Sequence, residues 1–266
     1  MRINISIILV SLFSQLYAQE ENNVSSSYRS PLDIPLVLAA NFGELRPNHF
    51  HMGVDFKTNG KEGLNIRSVM DGYVSRIKIS VGGYGKAVYI AHPNGSTSVY
   101  AHCSAFKGKI DSVIYEQQRK EQHYEVEIFL PEGMITIKKG EIIALSGNTG
   151  GSTAPHLHFE LRDTETGEAL NPLLFGFPVL DTKSPVIRGV KVYSVDENGY
   201  MIPGKSKQIA VQKVSDKHYS TQGPLTIPAH FCSEDGGIGL AIHAVDYFDA
   251  APNVCGLYAS EMKVNN

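Results

Sequence analysis

Short apolar runs alternate with polar and glycine-containing turns along most of the chain from Pro31 onward. Residues 73–79 largely alternate apolar and polar side chains, which is typical of a strand with one buried face. Pro93-Asn94-Gly95 is a strong turn signal between two further apolar runs, at 87–92 and 97–102. Because the runs are short and the turns closely spaced, the pattern predicts an all-β domain with an antiparallel core.

The segment 104–135 interrupts this rhythm. Residues 115–121 are mostly polar and predict a helical turn or a loop, whereas residues 124–130 alternate like another strand. Residues 137–145 then predict a turn that leads into a strand. The pattern is interpreted as an excursion within one domain.

A domain boundary is predicted between Phe177 and Pro185, where the sequence has the composition of a linker. A fresh apolar run begins at residues 186–193, and short strand patterns continue from there. The sequence therefore predicts a first domain over residues 31–180. Residues 185–266 are expected to form a smaller, sandwich-like β-rich module, and the pattern leaves open whether that sandwich is complete.

The N-terminal residues predict a targeting segment followed by a polar leader. Arg2 supplies a positive charge, residues 5–17 are mainly apolar, and Ala18-Gln19 resembles a cleavage site. This apolar stretch is too short for an ordinary membrane span. We predict a signal peptide over residues 1–18, with a buried N-terminal strand as the alternative, and a flexible leader over residues 19–30. The mature protein is then exported, periplasmic or extracellular, with no stable membrane insertion.

The charge balance argues against one class of partner. The chain contains 24 Lys and Arg against 27 Asp and Glu, which gives a formal net charge of -3. A balance of this kind provides no basic footprint for a polyanion, so we expect no binding to nucleic acid.

The cysteines are compatible with export without proving it. In an oxidising compartment Cys232 could pair with Cys255, and the alternative is three buried thiols. Cys103 directly follows His102 in a predicted strand, so its side chain is expected to point to the opposite face. It is therefore a weak candidate for a nucleophile or a metal ligand.

Five residues in three short clusters carry the candidate chemistry. His51 and Asp55 are four positions apart, His102 ends an apolar run, and His156 and His158 are two positions apart. If the last segment is extended, both of its imidazoles lie on one face of a strand. Two imidazoles and a carboxylate with an open fourth position suit a catalytic zinc ion, while further histidines can transfer protons near neutral pH.

The spacing of His51 and Asp55 is compatible with two local structures. Gly53 and the β-like residues 54–56 favour a loop that leads into a strand, and one face of a helix is the alternative. The other histidines of the chain are interpreted as surface or satisfied core residues. They are His49, His92, His123, His218, His230 and His243.

Several short motifs also follow one another in a fixed order. They are Arg46-Pro47-Asn48-His49-Phe50-His51-Met52-Gly53-Val54-Asp55-Phe56, Asp71-Gly72-Tyr73-Val74, Gly83-Tyr84-Gly85, His92-Pro93-Asn94-Gly95, Tyr100-Ala101-His102, Gly147-Asn148-Thr149-Gly150 and His156-Leu157-His158-Phe159-Glu160. This ordered set resembles the lysostaphin-type, or LytM-type, zinc endopeptidases. The resemblance spans about residues 35–176 and says nothing reliable about residues 185–266. It implies a compact antiparallel β-domain with zinc in a groove.

The resemblance also implies a division of the five residues. Carried over motif by motif, it makes His51, Asp55 and His158 the ligands of one zinc ion (Zn2+). It makes His102 and His156 the pair of catalytic histidines that do not bind the metal. Three protein ligands leave a coordination position for water, as in other catalytic zinc sites. The sequence does not assign the separate roles of His102 and His156.

The implied activity is that of a zinc metalloendopeptidase which hydrolyses peptide cross-links of bacterial peptidoglycan. A metal-activated water would attack the peptide bond with the assistance of two histidines. A D-Ala to diaminopimelate cross-link is the first expectation and a glycine-rich bridge the second.

The alternative is a non-catalytic module that binds the wall and regulates another hydrolase. Because all five positions are occupied, the sequence favours catalysis over that alternative. A third interpretation places the main function in the C-terminal module, to which the sequence assigns no chemistry.

Overall fold

The computed structural model describes residues 2–3, 28–221, 225–232, 236–257 and 259–262. These residues form two compact units. The first contains residues 28–181 together with Phe248–Asn253, and the second contains the other described residues. Apart from Arg2–Ile3, the predicted signal peptide lies outside the described residues, and so do residues 19–27 of the predicted leader.

The described residues are mainly β-structure, which confirms the all-β prediction. One α-helix, α1, covers Gly108–Glu121, and short 3₁₀ turns occur at Pro172–Phe175 and Ala229–Phe231. The strands are β1 (Arg2–Ile3), β2 (Leu38–Ala40), β3 (Val54–Lys57), β4 (Asn65–Arg67), β5 (Gly72–Ile79), β6 (Lys86–Ala91), β7 (Ser96–Ala101), β8 (Ala105–Phe106), β9 (Val126–Phe129), β10 (Thr136–Ile137), β11 (Ile142–Leu145), β12 (His156–Asp163), β13 (Ala169–Leu170), β14 (Val186–Val195), β15 (Met201–Ile209), β16 (Val211–Ser215), β17 (His218–Thr221), β18 (Leu225–Thr226) and β19 (Gly237–Val245).

The first unit is built on one large antiparallel sheet. Its strands follow the order β10-β5-β6-β7-β12-β3-β2, with β13 paired to β12 and β9 paired to β5. A smaller sheet has the order β4-β11-β8. In the large sheet β12 lies between β7 and β3, so three strands that are distant in sequence become neighbours.

Strand β12 has one apolar face and one polar face. Leu157, Phe159 and Leu161 are fully buried, and the Phe159 ring contacts the rings of Phe56 and Tyr100. Burial of each of these side chains contributes about 1.5–3 kcal/mol to stability. Because side chains alternate along a strand, the core contacts of this face place His156 and His158 together on the other.

Residues 28–30 pack on the first unit, although their composition assigns them to the leader. The Tyr28 hydroxyl is 2.7 Å from Ser96 Oγ, and its ring contacts Phe175 and Phe177. The Arg29 backbone N–H donates to the carbonyl of Val69 at 2.9 Å. The packed part of the domain thus includes residues that precede Pro31, because an aromatic anchor holds them.

Helix α1 is longer than the helical turn that residues 115–121 predict. Ile110 and Ile114 are its buried residues, and they lie one turn apart on one face. The helix ends at Gln122, which has left-handed backbone angles and donates its N–H to Gln118. With only two buried apolar positions, the helical pattern is weak in the sequence.

The second unit contains a three-stranded antiparallel sheet in the order β15-β14-β19, the hairpin β16-β17 and the pair β1-β18. Its apolar core includes Val190, Val192, Ile209 and Ile227. The division after Asp181 falls within the predicted linker.

The second unit differs from the predicted module 185–266 because it also contains Arg2–Ile3 and residues 182–184, and because it lacks one segment. Phe248–Asn253 belongs to the first unit, where the Asn253 side-chain amide donates to the carbonyl of Ala39 at 3.0 Å. Within the described ranges, no helix has both the length and the apolar character of a membrane span.

Candidate metal centre

Strands β3, β7 and β12 bring the five predicted residues together. His51 precedes β3, Asp55 lies within it, and His102 directly follows β7. On β12, His158 is paired with Asp55 on one side and with Ala101 on the other. His51 and Asp55 thus lie on a loop that leads into a strand, the structure that the sequence favoured over a helix. The segment with His156 and His158 is extended, as predicted.

Three side-chain atoms form a small triangle at this point. Nε2 of His51 is 3.1 Å from Asp55 Oδ1 and 3.1 Å from His158 Nδ1, and the last two atoms are 2.9 Å apart. A tetrahedral zinc ion with bonds of about 2.0–2.1 Å separates its ligand atoms by about 3.3 Å. The triangle thus has nearly the size that such an ion requires, and its two nitrogens and one carboxylate oxygen are suitable donors.

Neighbouring histidines keep Asp55 ionised although it is mostly buried. Burial alone would raise the pKa of this carboxyl group, but hydrogen bonds from His156, His158 and His51 outweigh it and hold the pKa well below its usual range. The guanidinium of Arg46 lies 3.8 Å from the other carboxylate oxygen. A deprotonated carboxylate is the form that binds a metal ion.

His158 lies between two carboxylates, those of Asp55 and Glu160. Burial lowers the pKa of this imidazole, but hydrogen bonds to Asp55 and Glu160 outweigh it and raise the pKa to about 9. The ring of Tyr84 stacks on the imidazole with 5.1 Å between centroids.

The outward nitrogens of the two candidate ligand histidines have fixed acceptors. Nδ1 of His51 donates to the backbone carbonyl of Asn41 at 2.6 Å, and Nε2 of His158 donates to Oε1 of Glu160 at 2.8 Å. A carbonyl or carboxylate oxygen only accepts, so the hydrogen-bond network assigns a proton to each of these nitrogens. Each ring is thereby oriented with its opposite nitrogen towards the triangle.

His102 and His156 lie beside the triangle and form a second pair, with 4.7 Å between ring centroids. Nδ1 of His102 donates to the carbonyl of Thr149 at 2.8 Å, and Nδ1 of His156 donates to the carbonyl of Ala154 at 2.8 Å. Nε2 of His156 is 3.5 Å from Asp55 Oδ1, outside the shorter contacts of the triangle. These rings are thus oriented next to the candidate metal position without being part of the triangle.

The two imidazoles of this pair differ in basicity. Burial, followed by the nearby charge of His156, lowers the pKa of His102 to about 4. Burial also disfavours the charged form of His156, but the carboxylate of Asp55 outweighs it and raises the pKa of His156 above its ordinary value. His102 is therefore neutral at pH 7.

Two glycine-containing loops position His102. A Cβ atom on Gly150 would lie 2.3 Å from the backbone nitrogen of Gly85, so the two loops approach more closely than side chains allow. The contact places Thr149 where its carbonyl accepts from His102. His102 itself has a φ of 58°, an unusual value for a residue with a side chain. Strained backbone of this kind is common at functional sites.

Glu160 is a charged residue of the site to which the sequence reasoning assigned no role. It is fully buried and accepts hydrogen bonds from His158, from Arg162 Nε at 2.6 Å and from the Tyr84 hydroxyl. Burial would raise its pKa, but hydrogen bonds from His158 and Arg162 hold the pKa below the ordinary value. Strand alternation provides the signal that would have found it, because Glu160 is two residues after His158 on β12.

The cysteines lie apart from this chemistry. Cys103 is buried, its thiol contacts the carbonyl of Tyr100 at 3.6 Å, and burial raises its pKa to about 12. A thiol that stays protonated is a poor nucleophile and a poor metal ligand. No disulfide joins Cys232 to Cys255, both of which are described residues.

Comparison with known protein families identifies the first unit. The pattern of peptidase family M23 matches residues 49–119 and 130–172. These residues form a peptidase family M23 domain. The matched stretches of the M23 domain include all five predicted site residues, and the unmatched residues between them contain the end of α1 and all of β9.

Several proteins are similar to this M23 domain and its surroundings. An uncharacterized metalloprotease of Haemophilus influenzae is 33% identical over 166 residues, which cover 62% of this chain and 28% of the relative. The DD-carboxypeptidase/endopeptidase Mpg of Neisseria meningitidis serogroup B is 33% identical over 128 residues, which cover 48% of this chain and 23% of the relative. The chain thus spans about a quarter of the length of these curated relatives.

A solved structure is also similar. The catalytic domain of the antimicrobial peptidase lysostaphin from Staphylococcus simulans is 25% identical and aligns with a TM-score of 0.36. The alignment covers 59% of this chain and 96% of that domain.

Proposed function

We propose that this chain is a zinc-dependent endopeptidase that hydrolyses peptide cross-links of bacterial peptidoglycan. The observation that carries the proposal is the triangle of His51, Asp55 and His158 with two further oriented histidines beside it. Membership of this domain in peptidase family M23 supports it, as does similarity to a relative named as a carboxypeptidase and endopeptidase.

In this proposal His51, Asp55 and His158 hold the metal, and the rest of the site handles protons. When bound, zinc supplies a Lewis acid and lowers the pKa of a coordinated water towards neutrality. In both His102 and His156, Nδ1 carries a proton and donates it to a backbone carbonyl. Nε2 is therefore the nitrogen that accepts or returns a proton. One of them takes the proton of the attacking water, and the other stabilises the oxyanion or protonates the leaving amine.

Export to the compartment that contains peptidoglycan is part of the same proposal. The predicted signal peptide over residues 1–18 supports it. Within the polymer, we propose a D-Ala to diaminopimelate cross-link as the first substrate and a glycine-rich bridge as the second. Digestion of purified muropeptides of both kinds, followed by mass spectrometry, distinguishes the two.

The proposed mechanism predicts that zinc binding and cleavage separate in a His156→Ala variant. We expect this variant to retain one zinc ion per chain and to cleave cross-linked muropeptides about 10²–10⁴-fold more slowly, the range of a lost general acid or base. Metal content and the rate of muropeptide release measure the two properties. The exposed His123 provides the matched control, and His123→Ala should change neither.

Two results would contradict parts of this proposal. Full activity of His156→Ala would exclude the proton-handling role of His156. A parent protein that binds zinc and its wall substrate without cleaving any muropeptide would instead favour a module that regulates another hydrolase.

A further inference from the structure

The histidines of the site differ in the acceptor that holds the outward nitrogen. Backbone carbonyls serve three of them, those of Asn41 for His51, Thr149 for His102 and Ala154 for His156. His158 is held by the carboxylate of Glu160. A backbone carbonyl is neutral and is available at any sequence position. The acceptor for His158 is instead charged, and only the side chain of Glu160 supplies it.

The carboxylate of Glu160 is itself fixed on all sides. One of its oxygens, Oε1, accepts from His158 Nε2 and from the Tyr84 hydroxyl, and Oε2 accepts from Arg162 Nε. Arg162 also donates from Nη2 to the Tyr84 hydroxyl at 3.3 Å. Tyr84 and Arg162 therefore hold the carboxylate in the position from which it contacts His158.

Stability alone does not account for a charge at this position. Glu160 is fully buried, and removal of a carboxylate from water costs several kcal/mol, which its hydrogen bonds and its pairing with Arg162 must offset. A well-packed apolar side chain is often at least as stabilising as a buried ion pair. The effect of the carboxylate on His158 is an alternative reason for its presence.

We propose that Glu160 is a positioning residue that orients His158 and strengthens its Nδ1 as a metal ligand. This inference rests on the proposed zinc site. A hydrogen bond from Nε2 to a carboxylate keeps the proton on that nitrogen, fixes the plane of the ring and increases the basicity of the opposite nitrogen. Tyr84 and Arg162 complete the arrangement because they prevent the carboxylate from rotating away.

The test measures the zinc affinity of the whole chain, stripped of metal beforehand, by competition with a chromophoric chelator. A Glu160→Gln variant keeps the shape of the side chain and an oxygen that accepts from Nε2, but it removes the charge. We expect its zinc Kd to rise by about 10–100-fold, the usual effect of losing such an outer partner. The exposed Glu168 provides the matched control, and the Kd of Glu168→Gln should equal that of the parent.

A second pair of variants separates this effect from folding. Glu160→Gln leaves the guanidinium of Arg162 without its carboxylate partner, which could destabilise the chain. Arg162→Gln keeps the carboxylate, whereas the double variant Glu160→Gln, Arg162→Gln has neither charge. We expect the double variant to bind zinc about 10–100-fold more weakly than Arg162→Gln, even where the two metal-free proteins melt at similar temperatures.

The outcomes distinguish this inference from the proposed function. If the parent binds no zinc, the proposed metal centre fails. If the parent binds zinc while the folded Glu160→Gln and double variants bind it within about threefold of their references, the positioning role is wrong and the metal centre stands. The comparison uses only the zinc Kd and not the rate of muropeptide cleavage. It therefore tests the role of Glu160 even if the chain binds the wall without cleaving it.

Discussion

The two nitrogens of each site histidine have different tasks. One is held by a fixed oxygen, and the other is thereby directed at the triangle or left to exchange protons. The rings are already oriented before a metal or substrate binds, so they need not rotate, which is the advantage of a preorganised site. A buried histidine outside the site, His92, has both nitrogens engaged instead, by the carbonyl of Asp71 and the hydroxyl of Ser98.

His92 predicts a pH dependence of stability. Burial lowers the pKa of His92 in the folded chain below its ordinary value of 6.5. Above that pH the ring is neutral in both states and causes no penalty. As the pH falls below it, the unfolded chain binds a proton more readily than the folded one, so the free energy of unfolding decreases until the folded pKa is reached.

A His92→Gln variant should remove this part of the acid sensitivity. Glutamine keeps one donor and one acceptor but does not titrate. We expect the loss of stability between pH 7 and pH 5 to be smaller in this variant than in the parent, by up to about 1.4 kcal/mol for each pH unit of the difference between the two pKa values. Urea unfolding at both pH values, with His123→Gln as an exposed control, measures the difference. An equal loss in all three proteins would contradict the prediction.

Among the secondary-structure elements, β12 links the core to the site. Its apolar face packs against aromatic side chains of the sheet, while its other face carries His156, His158 and Glu160. Packing of Phe159 therefore also fixes the rotation of the strand, and with it the direction of the site residues. The loops that contain Gly85 and Gly150 supply the remaining contact, through the carbonyl of Thr149.

The close approach of these loops predicts a specific cost for Gly150→Ala. Gly150 and Gly167 have the same φ of 75°, but a Cβ atom on Gly167 would meet nothing within 4 Å. Both substitutions should cost about 1 kcal/mol or more because alanine disfavours that backbone conformation. Gly150→Ala should cost about 1–3 kcal/mol more through overpacking, and it should lower the rate of muropeptide cleavage because His102 is displaced.

Equilibrium unfolding of the two glycine variants, together with a cleavage assay, measures these effects. Equal destabilisation of Gly150→Ala and Gly167→Ala would show that the loop contact is looser than the structure has it. Retention of full cleavage by a destabilised Gly150→Ala would show that the loop does not position His102.

For the molecule as a whole, the division into two units predicts which strands zinc binding would stabilise. His51, Asp55 and His158 all lie in the first unit, and the second has a separate apolar core. A ligand that binds only the folded state stabilises by an amount that grows with its concentration, about 2.7 kcal/mol at a hundred times Kd.

We expect zinc to slow amide hydrogen exchange in β3 and β12 without slowing it in β14 and β19. Because Phe248–Asn253 belongs to the first unit, this segment should gain protection together with β3, although its sequence neighbours do not. Exchange measured by mass spectrometry with zinc and with a chelator provides the test, and Asp55→Ala serves as the control that should show no response. Equal protection of both units would mean that they open together.

The sequence by itself determined the all-β class and most strand positions, and it selected the candidate residues of the centre. Alternation of apolar and polar residues and turn signals are local properties of the backbone, so they can be read along the chain. The division of the five residues into metal ligands and proton-handling histidines is implied by motif resemblance and stays a prediction, while the structure places the side-chain atoms of His51, Asp55 and His158 in one triangle. The full extent of α1 was not found, because two buried isoleucines make a weak pattern.

Only the tertiary structure decided how the site residues are held. His51 and His158 are 107 residues apart, and their contact depends on the order of β3 and β12 in the sheet. The acceptors for His51, His102 and His156 are backbone carbonyls, which carry no sequence signature. Phe248–Asn253 belongs to the first unit although it is distant in sequence, and Asn253 contacts the backbone of Ala39 there. Local patterns specify which face of an element is polar, but packing between distant segments determines what that face meets.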